Sequence, residues 1–453
     1  MHKTADPRQV KSEDDVRTIS KTNFLSKVFE KVLGGWLLPL VEPYLDPGQC
    51  GGLSGTSTSH YLVKLLDFVH STLDRRDPHA VTLATMDLSK AFNRGDSLVI
   101  EDLHDMHVPG WLLAILCSYL SNRSMVLTYQ GATSTPHSLP GGYGAGTWMG
   151  GFLFTIKFNG ICLRPKIPRP NGNRAMQLKY VDDSTKCASV NLKQSLQDDE
   201  QSRPFPLNYH ERTKKCIKPD ENVLQHELDR FHQETTENNF VTNQNKSFVM
   251  IFNKSRKLAF SPEFTLGSSG ILEVKKTLKI LGVHIQEDLK WGAQIENMVK
   301  KASKRIWLLR RMKKLGVDEQ TMTNYWRSEG LVHLEAASAV WTGGITRAQQ
   351  GDLSRVQRRA VAALTGRHTR GEEYAGICAR LGLESDLVAR RRRLATTFAR
   401  RTAMGTKSRH KDLFTRLPGG MRTRSGRTWQ EPVCRTRRYL NSAVPYLTRL
   451  LNQ

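Results

Sequence analysis

Two short β-rich runs, one ending on an aspartate and one carrying a pair of them, constrain this chain more than any other feature of its sequence. The first, Val81 to Met86, follows the turn-forming Asp77 and Pro78, reads as a buried strand and stops on Asp87. The second, residues 178–190, reads as a hairpin carrying Tyr180, Val181, Asp182 and Asp183. Adjacent strands can bring carboxylates from separate elements to one place. Phosphoryl transfer by two Mg²⁺ ions about 3.5–4 Å apart needs that arrangement, because one ion activates the attacking hydroxyl and the other neutralises the leaving phosphate. Magnesium takes few carboxylates and completes its shell with water and substrate phosphates, so two aspartates suffice. Consecutive aspartates also occupy ordinary turns, where Asp bonds its own backbone, and at this point both readings stand.

Around these runs the chain alternates helical patterns with loops. Leu25, Val28, Phe29, Val32, Leu33 and Trp36 fall at helical spacing, and Pro39 is expected to end that helix. Residues 48–59 form a small-residue loop, and Leu62, Leu65, Leu66 and Val69 open a second helical pattern. A third helical pattern runs from Leu98 to Tyr119, followed by a hairpin-like stretch at 125–138 and a glycine-dense segment from Pro140 to Gly151. Residues 195–222 read as an insertion or surface loop, and strands are expected at 247–252 and 278–285. Residues 293–314 predict a helix with Ile295, Met298, Val299, Ala302, Ile306 and Leu309 on one side and eight Lys and Arg on the rest. Such a helix docks on a core and presents a cationic surface. A solvated face is the plainer reading, and nucleic acid the one favoured by the charge.

Composition narrows the function classes. With 68 Lys+Arg against 43 Asp+Glu the chain carries +25, and 38% hydrophobic residues are enough for buried cores in two to four domains. No apolar stretch approaches the ~18–20 residues of a membrane span, the longest candidate being Trp111 to Leu120. The start lacks the apolar core of a secretory signal, and no Cys pair has zinc spacing, so an intracellular protein, nuclear or cytoplasmic, in a reducing compartment is expected. From Arg390 to Gln453 there are 17 Lys+Arg against two acids. Charge of this density binds polyanions through counterion release; a solvated or disordered basic tail is the alternative.

The residues flanking the acids carry a resemblance. Residues 86–97, MDLSKAFNRGDS, closely resemble the first catalytic segment of reverse transcriptases, and LKYVDDS (178–184) resembles their Tyr-x-Asp-Asp segment. SLPGGYGAGTWMGGFLF resembles the glycine-rich segment that touches the incoming nucleotide and template, NQNKSFVMIFN (243–253) the segment with a lysine near the leaving pyrophosphate, and LKILGVHIQEDLKW (278–291) the primer-grip hairpin. SKVFEKVL, HLEAASAVW, RVQRRAVAALTG and the final RTRRYLNSAVPYLTRLLNQ are similar to jockey-like, non-LTR retrotransposon enzymes, so that the resemblance covers nearly the whole chain.

It implies an α+β right-hand polymerase: partial fingers (1–80), a palm on a small antiparallel sheet (81–290), a helical thumb (291–389) and a basic C-terminal region (390–453). Asp87 and Asp182 would ligate two Mg²⁺ ions, with Asp183 supporting the site. The implied partners are an RNA template, a DNA primer and dNTPs. Tyr180 and Gly146 belong by resemblance to substrate-binding segments. Phe92 matches the aromatic beneath the sugar, where a flat ring would collide with a 2′-hydroxyl; core packing is its other reading, and the ring opposes an RNA-directed RNA polymerase. Lys246 is either a general acid for the departing pyrophosphate or a surface lysine. Arg17 resembles the fingers arginine that grips the triphosphate, and Lys3 its companion.

The sequence also departs from the family pattern. Ala145 stands where the family has Gln, Thr18 where it has Pro, and the chain opens within the fingers with no endonuclease segment, as expected of a truncated copy. A relic that only binds nucleic acid is the alternative function.

Overall fold

The computed structural model describes residues 19–95, 98–139, 141–161, 174–192, 223–255, 260, 262–267, 270–368, 370–418 and 426–453. Arg17, Lys3, Thr18 and the stretch 195–222 lie outside the described residues.

Helix α1 (Phe24–Val41) starts on Asn23, whose side chain accepts from the Ser26 amide at 2.7 Å. Pro39 does not end it. The helix runs two residues further, because a proline in the last turn forfeits only the bond to the Gly35 carbonyl. The stripe that the spacing picks out is mostly the outer one: Leu25, Val28, Phe29, Val32 and Trp36 are exposed, while Glu30, Leu33, Gly34, Leu37 and Val41 face inward. Helix α2 (Thr58–Leu73) buries Leu62, Leu65, Leu66 and Val69 as expected. Strand β1 (His79–Leu88) then alternates Val81 and Leu83 into one core with Ala84, Met86 and Leu88 into another. The pattern from Leu98 to Tyr119 resolves into α3 (Val99–Asp105) and α4 (Gly110–Leu120), parted where His107 turns left-handed ahead of Pro109. Four short strands, β2 (Ser124–Met125), β3 (Thr128–Tyr129), β4 (Ala132–Thr133) and β5 (His137–Ser138), form an exposed hairpin, with β2 paired to β5 and β3 to β4.

Helix α5 (Trp148–Asn159) is almost wholly buried. It precedes the hairpin β6 (Ala175–Tyr180) and β7 (Asp183–Asn191), helix α6 (Val223–Glu237) and strands β8 (Thr242–Asn253) and β9 (Glu273–Val274). The five-stranded sheet has the order β6-β7-β1-β8-β9, antiparallel except for the β8–β9 pair. Strands β10 (Thr277–Ile280) and β11 (Val283–Gln286) make the separate hairpin expected at 278–285.

Beyond it the chain is helical: α7 (Gly292–Lys314), α8 (Glu319–Tyr325), α9 (Arg347–Thr365), α10 (Gly371–Arg380), α11 (Leu387–Met404) and α12 (Ala443–Leu451). Helix α7 buries Ile295, Met298, Ala302, Ile306 and Leu309, the predicted face. The basic C-terminal region is not a solvated extension. Its Ala395, Ala399, Phe414, Tyr439 and Leu447 are buried, and α12 packs on α2. The division at 389/390 falls inside α11, because a change in charge density is not a change in packing.

Buried charges tie the sheet to the helices. The Lys179 ammonium, fully buried, donates to the carbonyls of Phe158 (2.9 Å), Asn159 (3.0 Å) and Ile161, placing a cation at the negative end of α5. At the other end of the same helix, buried Glu30 accepts from the Met149 amide (3.1 Å) and from the Tyr119 hydroxyl (3.0 Å). Lys186 pairs with Glu227 at 3.0 Å and fixes α6 on the sheet.

Candidate active site

Antiparallel pairing sets the register of the carboxylates. Met86 lies opposite Ser184, so Asp87 on β1 neighbours the end of the β6–β7 hairpin that carries Asp182 and Asp183. The hairpin closes through Val181 and Asp182, and Val181 has φ +57, a left-handed conformation that a β-branched residue adopts at a cost of about 1–3 kcal/mol.

What holds that turn is the loop that the sequence shows only as small residues. The Lys179 amide donates to Gly48 O (3.0 Å) and the Cys50 amide to Lys179 O (2.8 Å), so the loop runs along the outer edge of β6 like an extra strand. Gly51 backs directly on the turn, and a Cβ there would collide with the Val181 amide and with the Tyr180 backbone. The loop is held from behind in turn. Cys50 Sγ lies 3.7 Å from His410 Nε2, and Gly55 packs on the backbone of Lys407.

On the opposite side of β1 the ladder is irregular. Thr85 pairs with Phe248 but Asp87 with Asn243, so β8 bulges through residues 244–247. Ser247 bridges the bulge: its hydroxyl donates to Asn243 O (2.8 Å) and accepts from the Asp87 amide (3.3 Å). The bulge brings Lys246 Nζ to 3.8 Å from Asp87 Oδ2. With the lysine 61% and the aspartate 29% exposed, this pair adds little stability; it leaves a cation beside the carboxylates.

Partial burial, followed by the charges of Asp182 and Asp87, pushes the Asp183 carboxyl up to about 6. Its side chain is solvent-accessible at the rim, which makes the repulsion between like charges the weightier physical cause. Among the described residues no three His, Cys, Asp or Glu are grouped to hold an ion unaided. The donor set is hard carboxylate oxygen, the kind that Mg²⁺ takes in small number.

Phe92 sits in the turn after β1, half-buried, its ring stacked on Phe154 with centroids 4.7 Å apart. The glycine-rich segment lies against that turn through Tyr143 N to Phe92 O (2.9 Å) and Gly142 N to Gly95 O (2.7 Å). The first acidic segment and the glycine-rich segment are therefore neighbours in space. Gly146, with φ +103, is covered by Ile19 and Ser20, and Ala145 O accepts from the Ser20 amide at 2.7 Å. Tyr180 meets Tyr61 edge-on, with centroids 6.3 Å apart.

Sequence reasoning brought Asp87, Asp182, Asp183 and Lys246 to one place. It missed Gly51, Lys179 and Ser247. The doubled glycine in GQCGG and a lysine inside a β-rich run were the available signals.

No family model and no curated protein matches the chain. Among solved structures it is similar to Candida tropicalis telomerase in complex with a TWJ fragment of telomeric RNA (12% identity, TM-score 0.37, 85% of this chain and 55% of that one). It is also similar to Candida albicans telomerase with a TWJ fragment (10%, 0.40, 79% and 57%) and to apo C. tropicalis telomerase (10%, 0.39, 84% and 60%). The chain thus spans 55% to 60% of the length of these telomerase chains.

Proposed function

We propose that the chain is an RNA-directed DNA polymerase of the non-LTR, jockey-like retrotransposon type, which extends a DNA primer on an RNA template with dNTPs. The observation that carries this reading is the meeting of Asp87, Asp182 and Asp183 at one end of an antiparallel sheet, with Lys246 beside them. In this reading residues 1–80 belong to the fingers, 81–290 to the palm and the helices from 291 to the thumb and basic region.

Asp87 and Asp182 would hold two Mg²⁺ ions, which supply charge neutralisation and an activated primer hydroxyl. Asp183, raised by its neighbours, adds to the negative field that draws the ions in. Lys246, exposed and within reach of Asp87, delivers a proton to the departing pyrophosphate. Phe92, wedged on Phe154, offers a ring edge to the sugar and favours deoxynucleotides. Positioning and fixed charge do most of such catalysis. The cationic side of α7, where Trp307 is 62% exposed with Arg311 over its ring, suits the template–primer backbone and a stacked base.

Primer extension on an RNA template with purified protein, dNTPs and Mg²⁺ tests the reading. Product is expected from the chain and none from Asp182→Asn, with template binding retained in both. A second reading, a non-catalytic binder of nucleic acid, is favoured by Ala145, whose methyl group offers no hydrogen bond in the glycine-rich segment. RNA binding without any extension would select it.

A further inference from the structure

Among the described residues nothing covers the outer face of α1. Leu25, Val28, Phe29, Val32, Trp36 and Leu40 keep helical spacing and are all exposed, Leu25 to 75%. Phe24 begins the stripe, and Trp111 on α4 widens it, its ring edge-on to Trp36 with centroids 5.9 Å apart. Aromatic side chains offer about 150–250 Å² each, so these partly bare residues together present on the order of 700 Å² of apolar surface. The largest patch on a monomer is typically about 300–600 Å², and one side of a stable protein interface takes about 800 Å². The face has the size of an interface.

The two glycines of this helix show what kind of surface meets it. Gly34 faces inward, where a Cβ would strike the Trp148 ring. Gly35 borders the stripe one turn on from Val32, is exposed, and a Cβ there would meet no atom within 4 Å. Glycine inside a helix weakens it relative to alanine, and nothing among the described residues requires one at 35. Its use lies on the outside, where a helix without a Cβ can be approached closely by a second backbone. Lipid chains and stacked bases make no such demand, which singles out a packed helix.

Charge sets the chemistry of that helix. Lys27 and Lys31, one turn apart, are exposed along the Gly35 side of the stripe, while Glu30, the single acid of α1, is buried and bonded to Met149 and Tyr119. A second copy of the chain would bring the same two lysines to the contact again and no acid of α1 to meet them. Residues 1–18 hold only Met1, Val10 and Val16 as large apolar side chains, too few to cover the stripe. A helix with Asp or Glu along its flank fits both the apolar stripe and the lysines.

We propose that the outer face of α1 is the docking surface for an amphipathic helix of a partner protein. The apolar side of that helix lies along Val28, Val32 and Trp36, its backbone passes over Gly35, and its flank sets Asp or Glu against Lys27 and Lys31. The surface shares no residue with the carboxylate site and does not depend on the polymerase reading.

The test titrates the full chain against two fluorescent synthetic helices of about 18 residues, alike in a leucine stripe and differing only in Glu or Lys on the flanks, with anisotropy as readout. Saturable binding of the Glu-flanked helix is expected, with the Lys-flanked helix about tenfold weaker or more. Gly35→Leu, whose side chain enters open space, should leave the melting temperature unchanged or raised and weaken that binding about tenfold. Lys27→Glu combined with Lys31→Glu should reverse the preference between the two helices. No saturable binding of the Glu-flanked helix, or binding unchanged in both variants, overturns the proposal. So does a dimer of the chain alone that Gly35→Leu disperses in sedimentation, which makes a second copy the occupant. Binding to phosphatidylserine vesicles that Val32→Glu abolishes and Gly35→Leu leaves intact also overturns it, in favour of a lipid surface.

Discussion

At the open end of the sheet, Asp87, Asp182 and Asp183 stand within reach of solvent, and partial burial together with the charges of Asp182 and Asp87 raises the Asp183 carboxyl. A few residues along the same hairpin, Lys179 and Lys186 are buried and bonded to carbonyls and to Glu227. The first group is arranged against its own stability and gains from a counter-charge brought by something else. The second is internally complete and fixes where strands and helices sit. Charge on this hairpin thus does two jobs that substitution can separate.

The largest separation is expected from Asp87→Asn. In the proposed polymerase, extension should fall on the order of 10³-fold while the melting temperature moves little, because the half-buried carboxylate's pairing with Lys246 adds little stability. Undiminished extension would remove Asp87 from the chemistry. Lys179→Met should do the reverse, lowering unfolding free energy by about 3 kcal/mol in a urea titration, since three carbonyls at the end of α5 lose their donor. A variant as stable as the parent would show that this lysine braces nothing.

Behind the hairpin, acid provides a milder probe. Burial, with the charge of Lys64, lowers His60 to about 4, and burial, with Lys64, His60 and Arg409, lowers His410 to about 3. Unfolded, both would titrate near 6.5, so the unfolded chain binds the extra protons. Stability is full above that value and falls with pH towards the folded values. By pH 5 the loss is about 2 kcal/mol for each histidine. Unfolding followed from pH 7 to 5 should show this decline, and His410→Asn should flatten it; an unchanged slope would mean that His410 is charged in the fold.

The smallest effect is expected at Phe92, which belongs to both regions through its stack on Phe154. Phe92→Val should raise ribonucleotide use relative to deoxynucleotide about tenfold, the scale of one lost steric contact. An unmoved ratio in a folded variant would make the ring a core residue alone.

The carboxylate end was legible because Asp182 and Asp183 are consecutive and Asp87 closes a β-rich run, and strand pairing set their register. The face of α7 was legible because its cations leave a single apolar stripe. In α1 the period was right and the side wrong. Apolar spacing defines a stripe, but the docking of Gly34 on the Trp148 ring and the bonding of Glu30 decide which side is buried. In α11 the buried positions Leu387, Arg391, Ala395 and Ala399 keep helical spacing, yet after Leu387 they are small or charged and vanish beneath the surrounding arginines. Arg391 is buried over the Trp341 ring, 5.7 Å away, a placement that charge counting assigns to solvent. The loop 48–55 was illegible because its value lies in having no side chains where two backbones meet it.

That loop also gives the chain a timetable. Cys50 and His410 are 360 positions apart, and the backbone of Lys407 closes over Gly55 from the same distant segment. At about 5–20 residues per second, a ribosome needs roughly 20–70 s to go from one to the other. Contacts of such long range also form late, since the entropy of closing the loop comes before its reward. The strained turn at Val181 therefore receives its last backing only after the segment at 407–410 has been made, long after the acidic hairpin itself has left the ribosome.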